Sequence, residues 1–101
     1  MSYHIQFHLR GLTEYEQATK WYSERSQQAA DNFSSAVEEK LSILKKEPDR
    51  FGKIHKEYRE VKLRKYPYKI VYIIKEEERV VAIASIFHQK RNPRTKFKNL
   101  P

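Results

Sequence analysis

Lys62 and Arg64 stand two residues apart in Tyr58 to Arg64, a stretch whose apolar points, Tyr58, Val61 and Leu63, alternate loosely with polar residues. Residues two apart in an extended strand share a face, so this pair could clamp a phosphate. Arg59 and Lys69 lie close by, and Lys90 and Arg91 follow the last apolar run of the chain. Positioned Arg and Lys side chains stabilise phosphate charge. Arg59, Lys62, Arg64, Lys69, Lys90 and Arg91 are therefore the candidate nucleic-acid or phosphate-binding set. His88 is the residue in this region suited to proton transfer. Lys90 and Arg91 are close to it, and like charge disfavours its cation; a neutral imidazole is a base.

The charge of the chain is distributed unevenly. Residues 1–52 carry seven basic and eight acidic residues, a net of −1, whereas residues 53–101 carry fourteen and five, a net of +9. The whole excess lies in the half that holds the candidate set, which suits a polyanion or an acidic partner. There is no cysteine, which excludes disulfide frameworks, Cys-based zinc sites and thiol catalysis. His4 and His8 share a face of the first alternating stretch, but no third ligand stands at an obvious spacing, so neither a metal nor a cofactor is implied. The longest apolar stretch, Val80 to Phe87, is far too short to cross a bilayer. The N-terminus lacks the basic-then-apolar order of a secretory signal, so no membrane association and a cytoplasmic location are expected.

These side chains need elements to position them. Tyr3 to Arg10 alternates as a half-buried strand, which Gly11 is expected to break. Thr13-Glu14-Tyr15-Glu16 has the form of a capping box and predicts a helix start there. Asp31 can cap a second helix whose apolar face reads Phe33, Val37, Leu41 and Leu44, and Pro48 stops it. Tyr58 to Arg64 and Tyr68 to Ile74 read as strands, with Pro67 marking a turn or a strand start between them and Glu76-Glu77-Glu78 as a charged turn after them. Val80 to Phe87 suits a central strand covered on both faces. Residues 88–101 form a basic tail. The expected fold is α+β with order β-α-α-β-β-β, a helical hairpin packed on an antiparallel sheet, in one domain over residues 1–101.

Several local patterns run through this order. The first helix carries Ala18-x-x-Trp21-Tyr22, and the second carries Phe33-x-x-Ala36-Val37 and ends in Leu44-x-x-x-Pro48-x-x-Phe51. Tyr58-Arg59, Tyr66-Pro67-Tyr68-Lys69-Ile70-Val71-Tyr72 and Val81-x-Ile83-x-Ser85-Ile86-Phe87-His88-x-x-Arg91-Asn92-Pro93 follow. The series resembles the RelE/ParE superfamily, the toxin half of type II toxin–antitoxin (plasmid stabilisation) modules. The resemblance implies a cytoplasmic toxin with a cognate antitoxin whose tail is partly disordered or acidic; Trp21 and Tyr22 read as either helix-to-sheet core or the contact with that partner. ParE-like members bind and poison DNA gyrase; RelE-like members cut mRNA on the ribosome without a metal. The terminal His-x-x-Arg-Asn-Pro is closer to the ParE side, so gyrase inhibition is the expected function.

The alternative follows from the same resemblance. Metal-independent RNA cleavage needs the 2′-OH deprotonated, the phosphorane stabilised and the leaving oxygen protonated. Lys62, Arg64 and Lys69 match basic positions of the RelE-like surface, and His88, Arg64 and Lys62 would be the catalytic residues. RelE-like enzymes also place an aromatic hydroxyl or a further arginine near the end of the chain. Here Gln89 and Thr95 stand at the corresponding positions, and Phe97 carries no hydroxyl. A third reading is a non-toxic relative that only binds an antitoxin-like partner.

Overall fold

The computed structural model describes residues 2–90 and Leu100; the expectations for Arg91, Thr95 and Phe97 lie outside the described residues. The chain runs β1 (His4–Phe7), α1 (Leu9–Ser23), α2 (Gln27–Lys46), a 3-10 turn (Pro48–Arg50), β2 (Lys53–His55), β3 (Tyr58–Lys62), β4 (Tyr68–Lys75) and β5 (Val80–His88). Among the described residues the strands form one sheet in the order β1-β5-β4-β3-β2. β5 lies between β1 and β4, which accounts for its nearly unbroken apolar run. The β2–β3, β3–β4 and β4–β5 pairs are antiparallel, and β1 runs parallel to β5. The chain between them, two helices and three strands, supplies the long connection that a parallel neighbour requires.

The α+β class and the helical hairpin agree with the sequence reading, with one strand added. β2 is three residues long and all three are exposed, so it has no alternation of burial to reveal it. It pairs with β3 through a turn in which Lys56 takes a φ of 51°.

Two helix starts differ from expectation. α1 begins at Leu9, not at Thr13, with His8 at its N-cap and no side-chain cap bond. Gly11 is not a break but sits buried in the first turn. A Cβ there would lie 2.7 Å from the carbonyl oxygen of Ile83. The missing side chain is what lets the helix rest against β5, and Thr13 to Glu16 fall inside it. α2 begins at Gln27, with the Ser26 hydroxyl accepting from the Ala29 N–H at 3.0 Å. Asp31, the expected cap, instead accepts from the Gln27 amide one turn earlier, at 2.9 Å.

Phe33, Val37, Leu41 and Leu44 of α2 pack with Ile70 and Tyr72 of β4 and Val81, Ile83 and Ile86 of β5 in the main core. A second cluster, Tyr58, Val71, Ala84 and Phe87, is joined by Ile73 and Leu100. The buried Tyr72 hydroxyl donates to the Pro48 carbonyl at 2.6 Å, which ties β4 to the turn after α2; burial pushes this phenol up to about 12.

Gly11→Ala is expected to cost about 1–3 kcal/mol by overpacking, despite alanine's better helix propensity, because the obstructing atom is backbone. Urea denaturation measures this. His8 supplies a pH test. Its Nε2 is buried without a hydrogen-bond partner among the described residues. Burial first, and Lys75 second, hold its pKa below the ordinary histidine value. The unfolded chain therefore binds the proton more readily. Stability is expected to be full above about pH 6.5 and to fall as pH drops toward the lower folded pKa. In His8→Phe this component of the denaturation midpoint should become independent of pH.

Candidate functional site: a basic ridge at one end of the sheet

The end of β3, the turn through residues 63–67, the start of β4 and the end of β5 meet at one end of the sheet. The Leu63 N–H donates to the Tyr68 carbonyl at 2.9 Å and closes the turn; Lys65 within it takes a φ of 67°. Tyr68 lies opposite His88 in the ladder, and the Gln89 N–H donates to the Pro67 carbonyl at 2.8 Å. The helices reach the same end through aromatic contacts. Tyr66 packs edge-on to Tyr22 at 5.5 Å and to Phe33 at 5.4 Å between ring centroids.

Among the described residues, three clefts can be traced around this end. The largest, about 420 Å³, lies between α2 (Asn32, Ser35, Glu39) and the turn (Arg64, Lys65, Tyr66). A second, about 330 Å³, is lined by Lys62, Lys65, Tyr66, Pro67, Gln89 and Lys90. A third, about 140 Å³, lies between α1 (Glu14, Gln17, Trp21) and the β4–β5 pair (Tyr68, Phe87, His88). The first two share Lys65 and Tyr66.

The sequence-predicted residues divide among these places. Lys62 and Arg64 share the ridge but line different clefts, because the strand ends at Lys62 and the chain turns after the buried Leu63. Lys90 joins Lys62. Lys69 is held in an ion pair with Glu60 at 3.0 Å, both side chains largely buried. Arg59 donates through its guanidinium to the carbonyls of Asp49, at 3.2 Å, and Phe51, fastening β3 to the segment after α2.

His88 lines the third cleft and packs edge-on to Tyr68 at 5.1 Å. Its Nδ1 accepts the Lys90 N–H at 3.1 Å, so the neutral ring carries its proton on Nε2. Trp21 lines the same cleft, with the Arg25 guanidinium 3.2 Å from its ring centroid. Tyr22 stacks on Phe33 at 4.8 Å and packs against the main core.

Sequence reasoning missed Lys65, which both basic clefts share, and Glu14. One Glu14 oxygen accepts from the Ser85 hydroxyl at 2.6 Å and the Ile86 N–H at 3.0 Å; the other lies 3.7 Å from Arg10. The apparent capping box concealed this carboxylate. Lys65 had a signal in its neighbours, since a basic pair ahead of Tyr66-Pro67 at a strand end marks an exposed turn.

A two-helix hairpin on a five-stranded sheet, with a basic ridge where β3, β4 and β5 end, defines a small α+β protein of the RelE/ParE toxin fold. The family described as "ParE toxin of type II toxin-antitoxin system, parDE" matches residues 5–93, and the chain belongs to it. Solved structures agree in fold. The chain is similar to one from the chromosomal ParDE system of P. aeruginosa, with TM-score 0.70 and 11% identity over 85% of this chain and 95% of that one. It is similar to the E. coli toxin RelE in its free state, as a double arginine-to-alanine mutant, with TM-score 0.65 and 20% identity over 92% and 90%. Similarity to a chain of the intact E. coli RelBE toxin–antitoxin complex gives TM-score 0.56 and 21% identity over 88% and 99%. No curated protein sequence matches the chain.

Glu14→Ala removes the acceptor of the Ile86 N–H and the Ser85 hydroxyl. A loss of about 1–3 kcal/mol in urea denaturation is expected, with a smaller loss in Glu14→Gln, which keeps one carbonyl oxygen.

Proposed function

We propose that this ParE-family toxin inhibits growth by binding DNA gyrase, with no chemistry of its own, and that a cognate antitoxin neutralises it. One observation carries this reading: the basic groups of the ridge are separated from the group able to transfer a proton. Lys62, Arg64, Lys65 and Lys90 line the two basic clefts, whereas His88 lines the third. Lys69 and Arg59, which would otherwise add positive charge at a reacting phosphate, are engaged by Glu60 and by backbone carbonyls. General acid–base catalysis needs its donor within hydrogen-bond reach of the reacting atoms, whereas binding needs only a complementary surface. Gyrase lies in the cytoplasm, and among the described residues no helix is long and apolar enough to cross a membrane.

The antitoxin follows from the family, whose description and solved relatives are toxin–antitoxin systems. An acidic tail, disordered alone and ordered on binding, would complement the +9 half and cover the ridge. RelE-like cleavage of mRNA on the ribosome remains the second reading, supported by the likeness to RelE and by Lys62, Arg64 and His88 gathered at one end of the sheet.

Two assays on the folded protein separate the readings. Gyrase supercoiling is expected to be inhibited, with cleavage complexes accumulating and with His88→Ala still inhibitory. Primer extension on mRNA programmed into ribosomes is expected to reveal no new cuts. Cuts that appear only with ribosomes, and that weaken by about 10²–10⁴-fold in His88→Ala, would replace the gyrase reading with the nuclease one. Activity in neither assay, with normal growth on expression, would make the protein a non-toxic relative.

A further inference from the structure

We propose that the two clefts on either side of Lys65 form one continuous track for the phosphodiester backbone of DNA, so that the toxin touches DNA itself in addition to gyrase. The choice of DNA rests on the gyrase reading; the track rests on the arrangement of cations.

Among the described residues, carboxylates neutralise Arg10, Arg50, Lys53, Lys69 and Arg79, through Glu14, Glu47, Glu57, Glu60 and Glu76. Backbone carbonyls occupy Arg59. Other lysines, among them Lys20, Lys40, Lys56 and Lys75, are also without an ion pair among the described residues, but Lys62, Arg64, Lys65 and Lys90 are the unpaired cations that line the clefts at one end of the sheet. Arg64 lies in the cleft beside α2, Lys62 and Lys90 lie in the cleft beside the end of β5, and Lys65 belongs to both.

The turn keeps Lys65 in the left-handed region, at φ 67°, a conformation that a residue with a Cβ seldom adopts. Exposed cations at an edge shared by two open grooves suit an extended anion, which can contact each in turn. A single phosphate would need them converged in one pocket. The wall of α2 offers Asn32 and Ser35 as hydrogen-bonding partners for phosphate or sugar oxygens and carries one carboxylate, Glu39, so the cations of the turn supply the attraction and contacts to phosphate carry no sequence information. Binding should therefore be independent of sequence and dominated by release of counterions.

Fluorescence anisotropy of a short labelled DNA, titrated with the full chain over about 50–200 mM salt, tests the track. The four contacts of the track contribute roughly −3 for a single strand and roughly −4 for a duplex to the slope of log K against log salt, to which the basic residues 91–98 can only add. Lys65→Gln should make that slope shallower by roughly 0.7–0.9, and Lys62→Gln combined with Lys65→Gln by about twice as much. Lys56→Gln, at the other left-handed lysine turn, should leave it unchanged. Thermal unfolding verifies that each variant is folded.

A slope near zero, or one that Lys65→Gln leaves unaltered in folded protein, would overturn the track. RNA of the same sequence should bind no more tightly than the DNA, and a tenfold or greater preference for RNA would overturn the assignment to DNA. Because gyrase is absent from this assay, a failure here leaves the supercoiling result standing. Equally, a failure of gyrase inhibition leaves this result standing.

Discussion

The fold depends on how closely α1 approaches β5. β1 pairs with β5 only from Val80 to Ile83, and the His8 N–H adds one more bond to the Ile83 carbonyl. Beyond that point β5 has no strand neighbour on that side among the described residues, and the chain that formed β1 has already become a helix. Gly11 brings the first turn of the helix against the Ile83 carbonyl, and Glu14, one turn on, supplies the acceptor that the Ile86 N–H would otherwise lack. A buried N–H without a partner costs as much as a lost hydrogen bond, so the carboxylate stands in for the missing strand. β5 can then remain extended as far as His88 and bring its end level with the β3–β4 turn.

The ridge is held from the other side by aromatic rings. Tyr66, in the turn, lies against Tyr22 of α1 and Phe33 of α2, and Phe33 also meets Tyr68 at 5.2 Å. These edge-on and stacked contacts couple the helical hairpin to a turn that would otherwise be a flexible surface loop. The charged residues divide along the same line. Lys69 and Arg59 on the sheet are compensated, one by a carboxylate and the other by backbone carbonyls. At the turn Arg64 and Lys65 are left exposed, close to Lys62 and Lys90.

Much of this was legible in periodicity. The Phe33, Val37, Leu41 and Leu44 face of α2 and the strands β4 and β5 follow patterns that extend over several residues, and burial enforces them. The features that escaped are long-range. Nothing local to Gly11 announces that Ile83, more than seventy residues on, needs its missing Cβ. Thr13 and Glu16 carry a capping-box pattern, but packing against β5 sets the helix start four residues earlier. Lys69 looked available because its partner, Glu60, becomes a neighbour only when β3 and β4 pair. Lys62 and Arg64 looked like a clamp because the parity argument assumes a strand, and the strand stops between them.

That last difference bears on what the surface can do. Cleaving a phosphodiester demands that a base, an acid and a charge-stabilising cation be held around one phosphorus atom to within a fraction of an ångström, and misplacement by one ångström is severely penalised. Binding a polyanion or a partner protein has no such requirement, since long-range attraction acts on cations spread over a ridge. A turn that sends Arg64 toward α2 and leaves Lys62 beside Lys90 disperses charge along a line while His88 faces a separate cleft. The same scaffold would favour chemistry if β3 ran two residues further and kept Lys62 and Arg64 on one face. On the proposed gyrase reading, the end of β3 at Lys62 is the feature that spreads these cations for binding instead of converging them for catalysis.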